Sequence, residues 1–113
     1  MKKIEAFIKR RRLDYVIESL NRIEGMTGVS VNEIRGFGRQ RGARDGETMR
    51  DGQAGLLPKV RLEIFCRDDH VEKIVTEIEK AAHTGLRGDG KIYVLPVEQA
   101  MRISTGERGE IAV

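Results

Sequence analysis

Stretches of two-residue alternation and of helical spacing follow one another along this 113-residue chain in the order strand, helix, strand, strand, helix, strand. Between Lys2 and Lys9, Ile4, Ala6 and Ile8 alternate with other residues while Phe7 falls on the opposite face, which reads as a strand. Leu13, Val16, Ile17, Leu20 and Ile23 then recur at helical spacing. Asp14 lies in the first turn of that helix, where a negative charge suits the helix dipole, and Gly25 marks its end. Val29, Val31 and Ile34 suggest a second strand closing at Gly36. Val60, Leu62, Ile64 and Cys66 alternate with Arg61, Glu63 and Phe65 as a third. Val71, Ile74, Val75, Ile78 and Ala82 form a second amphipathic helix, and Ile92 to Leu95 is a fourth strand. The order β-α-β-β-α-β is the ferredoxin-like α+β arrangement, in which helices cover one face of an antiparallel sheet. Phe7 cannot face the helices together with Ile4, Ala6 and Ile8, so a subunit interface is expected over the open face.

Composition narrows the function classes. At 39% hydrophobic, the chain supports one small core, and residues 1–113 are read as a single domain. No apolar run approaches the ~18 residues of a membrane span. The opening MKKIEAFIKRRR lacks the apolar stretch of a secretory signal, and a single cysteine, Cys66, precludes an internal disulfide; a cytoplasmic protein is expected. Cys66 itself reads as a small buried hydrophobe. The net charge of +3 owes much to Lys9–Arg12. With aromatics at 4%, no Trp and no zinc-ligand spacing, that run reads as a solvated surface or a site for a small anion, and no nucleic-acid partner is expected.

Two segments carry no core. From Gly38 to Leu56 (GRQRGARDGETMRDGQAGL) five glycines, four arginines and three acids leave almost nothing to bury. A hairpin between the two central strands needs about two to five loop residues. A loop of this length is expected to meet a partner or fold over a ligand. The second segment is Thr84 to Val97, TGLRGDGKIYVLPV. Glycine between a helix and a strand can simply be a C-cap and turn. Gly88 and Gly90 also let backbone amides approach a ligand, and amides beside a fixed cation, here Lys91, are one way to hold phosphate.

Four strings together resemble the PII signal-transduction family: MKKIEAFIK at the start, GFGRQRG at Gly36–Gly42, LPKVRLEI at Leu57–Ile64, and TGLRGDGKIYVLPVEQAMRISTGERG at Thr84–Gly109. The resemblance spans nearly the whole chain. It implies a homotrimer of ferredoxin-like subunits with adenine nucleotides (ATP, ADP or AMP) in the clefts between copies. It also implies 2-oxoglutarate as an effector alongside Mg-ATP, and no enzymatic turnover. The loop at about 38–56 corresponds to the family's T-loop, which docks on a transporter or metabolic enzyme. Residue by residue, the resemblance places Gly36, Gly38, Arg39 and Gln40 beside the phosphates, and Gly88, Asp89, Gly90 and Lys91 in the phosphate corner. From the neighbouring copy, Gly28 and Ser30 match positions that meet the adenine. Glu63 matches the acid that meets the ribose, and Arg102 an arginine that reaches the phosphates. Gln40 matches a residue that helps hold Mg²⁺, and Lys59 one that pairs with the effector's carboxylate.

The chain also departs from that pattern. Ser104 stands where the family has a second phosphate arginine. A hydrogen bond to a charged group is worth roughly 1.5–3 kcal/mol. Its loss predicts nucleotide binding about ten- to a hundredfold weaker, most for the triphosphate, and so a shift towards ADP or AMP. Arg108 or the Lys9–Arg12 cluster are the candidates to compensate. The family's modified tyrosine falls on Gly52, and no tyrosine lies in the loop, so modification at that site is chemically excluded. These changes suggest a divergent branch, with a carbon-linked variant sensing ADP or AMP and bicarbonate, tied to inorganic-carbon uptake, as the alternative reading. A nucleic-acid-binding module and a slow ATPase built on Asp89 and Lys91 are the readings from other classes. Neither has the stacking aromatics or the evident nucleophile it would need.

Overall fold

The computed structural model describes residues 1–38 and 56–113. Strands β1 (Lys2–Ile8), β2 (Ser30–Gly36), β3 (Leu57–Cys66) and β4 (Gly90–Pro96) and helices α1 (Leu13–Asn21) and α2 (Val71–Ala82) succeed one another as β1-α1-β2-β3-α2-β4. The sheet order is β2-β3-β1-β4 with every neighbour antiparallel, the ferredoxin-like topology.

Register decides which residues share a face. Ile4 lies opposite Ile64 and Val94, and Ala6 opposite Leu62 and Ile92, so these side chains point together towards the helices. Ile4, Ala6, Ile8, Val60, Leu62, Ile64 and Cys66 are buried there against Val16 and Leu20 of α1 and Ile74, Ile78 and Ala82 of α2. Fully burying such a side chain contributes about 1.5–3 kcal/mol, so this layer is the main source of stability. Ile34, read as a strand residue with Val29 and Val31, pairs with Lys59 on the open face, whereas Val31 pairs with Leu62 on the helix face. Strand β2 is an edge strand, and its alternation is correspondingly weak.

Both helices begin from short 3-10 turns, Arg10–Arg12 and Asp68–His70, that the apolar spacing did not reveal. Arg12 ties the helices together. Its Nε donates to the Ala81 carbonyl at 2.8 Å, at the last turn of α2, where the helix dipole favours a cation. Its guanidinium also lies 4.0 Å from the centre of the Tyr15 ring. No described helix is long and apolar enough to cross a membrane.

The open face carries Lys3, Glu5 and Phe7 from β1, Arg61, Glu63 and Phe65 from β3, and Tyr93 and Leu95 from β4. Phe7 and Tyr93 meet edge to face at 6.1 Å. Phe65, Tyr93 and Leu95 are each more than two-fifths exposed. After β4 the chain makes a tight hairpin: Met101 bridges Arg108, the Arg102 amide donates to the Glu107 carbonyl and the Gly109 amide to the Ala100 carbonyl. Apolar spacing does not reveal this hairpin, since it buries nothing within its own chain.

Candidate functional site

The segment after α2 is organised by one carboxylate. Asp89 Oδ2 accepts from the Thr84 amide at 2.8 Å and the Gly85 amide at 3.2 Å. Its Oδ1 accepts from the Thr84 hydroxyl and lies 3.4 Å from Lys9 Nζ. His83 Nδ1 stands 3.5 Å from Oδ2. Partial burial would by itself push this carboxyl up, but the bonds from Thr84, Gly85 and Lys9 outweigh it and hold the pKa at about 2, below the ordinary 3.8. Asp89 therefore faces into the loop that it shapes. Among the described residues, the amides of Arg87 and Gly88 have no hydrogen-bond partner, so the donors of this corner are backbone groups and not side chains of the GDG string.

Gly88 and Gly90 are glycines for steric reasons. Gly90 has φ +104°, and a Cβ there would fall 1.7 Å from the Phe7 carbonyl oxygen. Gly88 has φ +81°, and its Cβ would sit 3.2 Å from Lys59 Nζ and 3.7 Å from Lys9 Cε. Lys59 Nζ donates to the Gly88 carbonyl at 2.8 Å. Two lysines thus lie beneath the corner, Lys59 from β3 and Lys9 from the end of β1. Lys9, part of the basic run that the sequence presents as a solvated surface or a small-anion site, is only 7% exposed, and its ammonium also bonds the Thr84 hydroxyl at 3.2 Å. The signal that could have marked it is the acid five residues after Thr84, a charge needing a buried partner. Lys91 is exposed and pairs in register with Phe7, next to the corner. Gly36, across from Leu57, and Gly38 lead out of β2 at the same end of the sheet.

The other residues gather elsewhere. Glu63 lies across from Ser30 and, on its other side, Glu5, with Lys3 Nζ 2.9 Å from Glu63 and 3.0 Å from Glu5. The bonds to Glu63 and Glu5 raise the Lys3 ammonium's pKa. Gly28 precedes β2 on the Glu63 side. Four residues of strand, about 13 Å, separate Glu63 from Lys59. Strand β4 starts beside Ile8 at the corner and ends beside Lys2, so the hairpin bearing Arg102 lies at the far end of the sheet. Arg67, just past β3, confirms that placement with an ion pair to Glu110 at 3.6 Å. Arg102 is held within its hairpin by Glu107 and the Ile111 carbonyl, each at 2.9 Å. Ser104 is exposed at the hairpin tip. Arg39, Gln40 and Gly52 lie outside the described residues. Among the described residues no acid, His and Cys cluster of metal-binding size occurs.

The structure thus brings together Gly36, Gly38, Lys59, Gly88, Asp89, Gly90 and Lys91 at one end of the sheet. It keeps Arg102 at the other end and Gly28, Ser30 and Glu63 towards it. A family model described as Nitrogen regulatory protein P-II matches residues 1–107. The chain belongs to that family of nitrogen regulatory signalling proteins. This P-II chain is similar, over its full 113 residues and the full length of each relative, to the Nitrogen regulatory protein P-II of Azospirillum brasilense at 47% identity and of Cereibacter sphaeroides at 50%. Among solved structures it resembles Arabidopsis thaliana PII bound to citrate, with a TM-score of 0.80 and 38% identity. That match covers 99% of this P-II chain and 91% of the Arabidopsis chain.

Proposed function

We propose that this P-II chain senses adenine nucleotides as a homotrimer, holding each nucleotide between two copies. In this reading it regulates a transporter or metabolic enzyme through the segment that joins β2 to β3. The observation that carries the reading is the division of the site between the two ends of one sheet. The Gly88–Lys91 corner and Arg102 cannot meet around one ligand within a chain, but a second copy laid against the open face can bring its hairpin to the corner. The exposed Phe65, Tyr93 and Leu95 supply an apolar surface for that contact.

The donor set suits a polyphosphate. The corner offers backbone amides, Lys91 lies beside it, and Arg102 adds a guanidinium, which pairs with phosphate through charge-assisted bonds. Glu63, beside Ser30, offers an acceptor for ribose hydroxyls once Lys3 shares it. In this reading Lys59 meets a small carboxylate effector such as 2-oxoglutarate, and Gln40 would help hold Mg²⁺ with ATP. The Arabidopsis PII bound to citrate supports carboxylate recognition in such a fold. The carbon-linked alternative, with ADP or AMP and bicarbonate, is favoured by one observation. Arg108 bridges Met101, so it lies on the hairpin face opposite Arg102. Lys9, Arg10 and Arg12 are already engaged with Asp89, Glu33 and Ala81. Of the candidates, this leaves Arg11 to stand in for the arginine that Ser104 replaces.

Calorimetric titration of AMP, ADP and ATP, each with and without 2-oxoglutarate or bicarbonate, tests both readings. Binding of one adenylate per chain is expected, with ATP no tighter than ADP. Heat from ATP alone, strengthened by 2-oxoglutarate, would favour the nitrogen-linked reading over the carbon-linked one. No heat with any adenylate would end both.

A further inference from the structure

The C-terminal hairpin turns one acid onto its only forward-facing guanidinium. Met101 bridges Arg108, so their side chains share one face, and Arg102 and Glu107, the next pair inwards, share the other. The backbone fixes this arrangement: the Arg102 amide donates to the Glu107 carbonyl at 2.9 Å, and the Gly106 amide to the Arg102 carbonyl at 2.7 Å. Gly106 has φ +76°, so the turn closes tightly. On that face Glu107 Oε1 accepts from Arg102 Nη1 at 2.9 Å and from the Thr105 hydroxyl, also at 2.9 Å. The Thr105 hydroxyl in turn accepts from the Glu107 amide at 3.2 Å. The carboxylate is therefore held in place by its own turn and is not a freely swinging side chain.

We infer that Glu107 determines the charge preference of the nucleotide cleft, an inference that rests on the function proposed above. A hairpin with two guanidiniums and one carboxylate facing the phosphates would carry a net positive charge. With Ser104 in place of the second arginine, the Arg102–Glu107 pair leaves that face charge-balanced. Each added phosphate of a nucleotide then meets an attraction from Arg102 and a repulsion of similar size from Glu107. The hairpin holds the ligand without rewarding a third phosphate. The pair is itself breakable, because its side chains are 44% and 36% exposed and such ion pairs are weak. Arg102, whose Nη2 also donates to the Ile111 carbonyl at 2.9 Å, can thus turn its Nη1 from Glu107 to a phosphate, and the fixed carboxylate stays behind as a neighbouring negative charge.

Glu107→Gln keeps the size of the side chain and an oxygen for Thr105 but removes the charge. Titrated against AMP, ADP and ATP in the intact chain, it should tighten ATP by about two- to fivefold, ADP by less and AMP hardly at all. The gain should shrink as salt is raised from 50 to 500 mM, because separated charges are screened (a Debye length of about 10 Å at 0.1 M). Glu107→Asp retains the charge and should keep the order of preference of the wild-type chain. An equal change for all three nucleotides in Glu107→Gln would mean a structural part only and would overturn the inference, as would no change. So would a shift towards ATP in Glu107→Asp. If the wild-type chain takes up no adenylate, the proposed function fails first and this inference with it. If the wild type binds and only the Gln variant's profile is flat, the inference alone fails.

Discussion

Asp89 illustrates how a residue can lie in a functional string and act on the scaffold. The GDG string reads as a phosphate corner, yet the carboxylate points inward to Thr84, Gly85 and Lys9. Asp89→Asn should lower the unfolding free energy at pH 7 by about 1–2 kcal/mol, measured by urea titration, since hydrogen bonds to a charged group are lost. The pH dependence has a definite direction. The folded pKa of about 2 lies below the ordinary 3.8, so the fold favours the ionised form. That stabilisation is full above pH 3.8 and is lost as pH falls through about 2, so wild type and variant should converge across that window. A wild-type advantage that persists unchanged at pH 2 would contradict this assignment. Gly90 is a second case. Gly90→Ala would combine φ +104° with a Cβ 1.7 Å from the Phe7 carbonyl oxygen and should cost about 3 kcal/mol or more, visible as a large fall in melting temperature. The sequence marks Gly88 and Gly90 only as permissive; the neighbouring backbone makes Gly90 obligatory. Lys9 shows the reverse: a lysine in a run of arginines looks solvated until its partner, five residues past Thr84 in the chain, is folded beside it.

At the scale of elements, strands with one buried face were the legible ones. Ile4, Ala6 and Ile8 and Val60 to Cys66 follow a strict two-residue period because each alternate side chain meets the helices. Strand β2 has helices over little of its length, and its apolar residues fall on both faces. Strand β3 also begins at Leu57, earlier than the alternation from Val60 implies, because Leu57, Pro58 and Lys59 continue the ladder with β2. The C-terminal hairpin was invisible, since its residues bury nothing in their own chain and its hydrogen bonds leave no hydrophobic period. Cys66 lies at the end of β3 and is 1% exposed, and burial pushes its thiol pKa up. It should therefore resist an aromatic disulfide reagent in the native protein and react within the dead time once urea unfolds the chain. Rapid native reaction would show that the end of β3 opens.

At the scale of the whole molecule, the open face of the sheet carries apolar side chains that the chain's own helices do not cover. Phe65, Tyr93 and Leu95 lie on the open face, with the Lys3, Glu5 and Glu63 cluster among them. Leu95→Asp should disrupt the proposed homotrimer, read by sedimentation velocity as a shift to monomer, while far-UV circular dichroism keeps the native strand and helix signal. An unchanged assembly would place the interface elsewhere. Loss of self-association should also abolish nucleotide heat, because Arg102 and the Gly88–Lys91 corner are at opposite ends of one sheet. The sequence by itself determined the element order, the core and the family-like strings, because hydrophobic period, turn glycines and charge spacing are local properties. Only the tertiary structure decided that Asp89 and Lys9 face inward, that Arg108 lies away from Arg102, and that Glu107 caps the guanidinium. Those facts depend on which residues register and twist bring together, and residues far apart or on opposite hairpin faces leave no pattern along the chain.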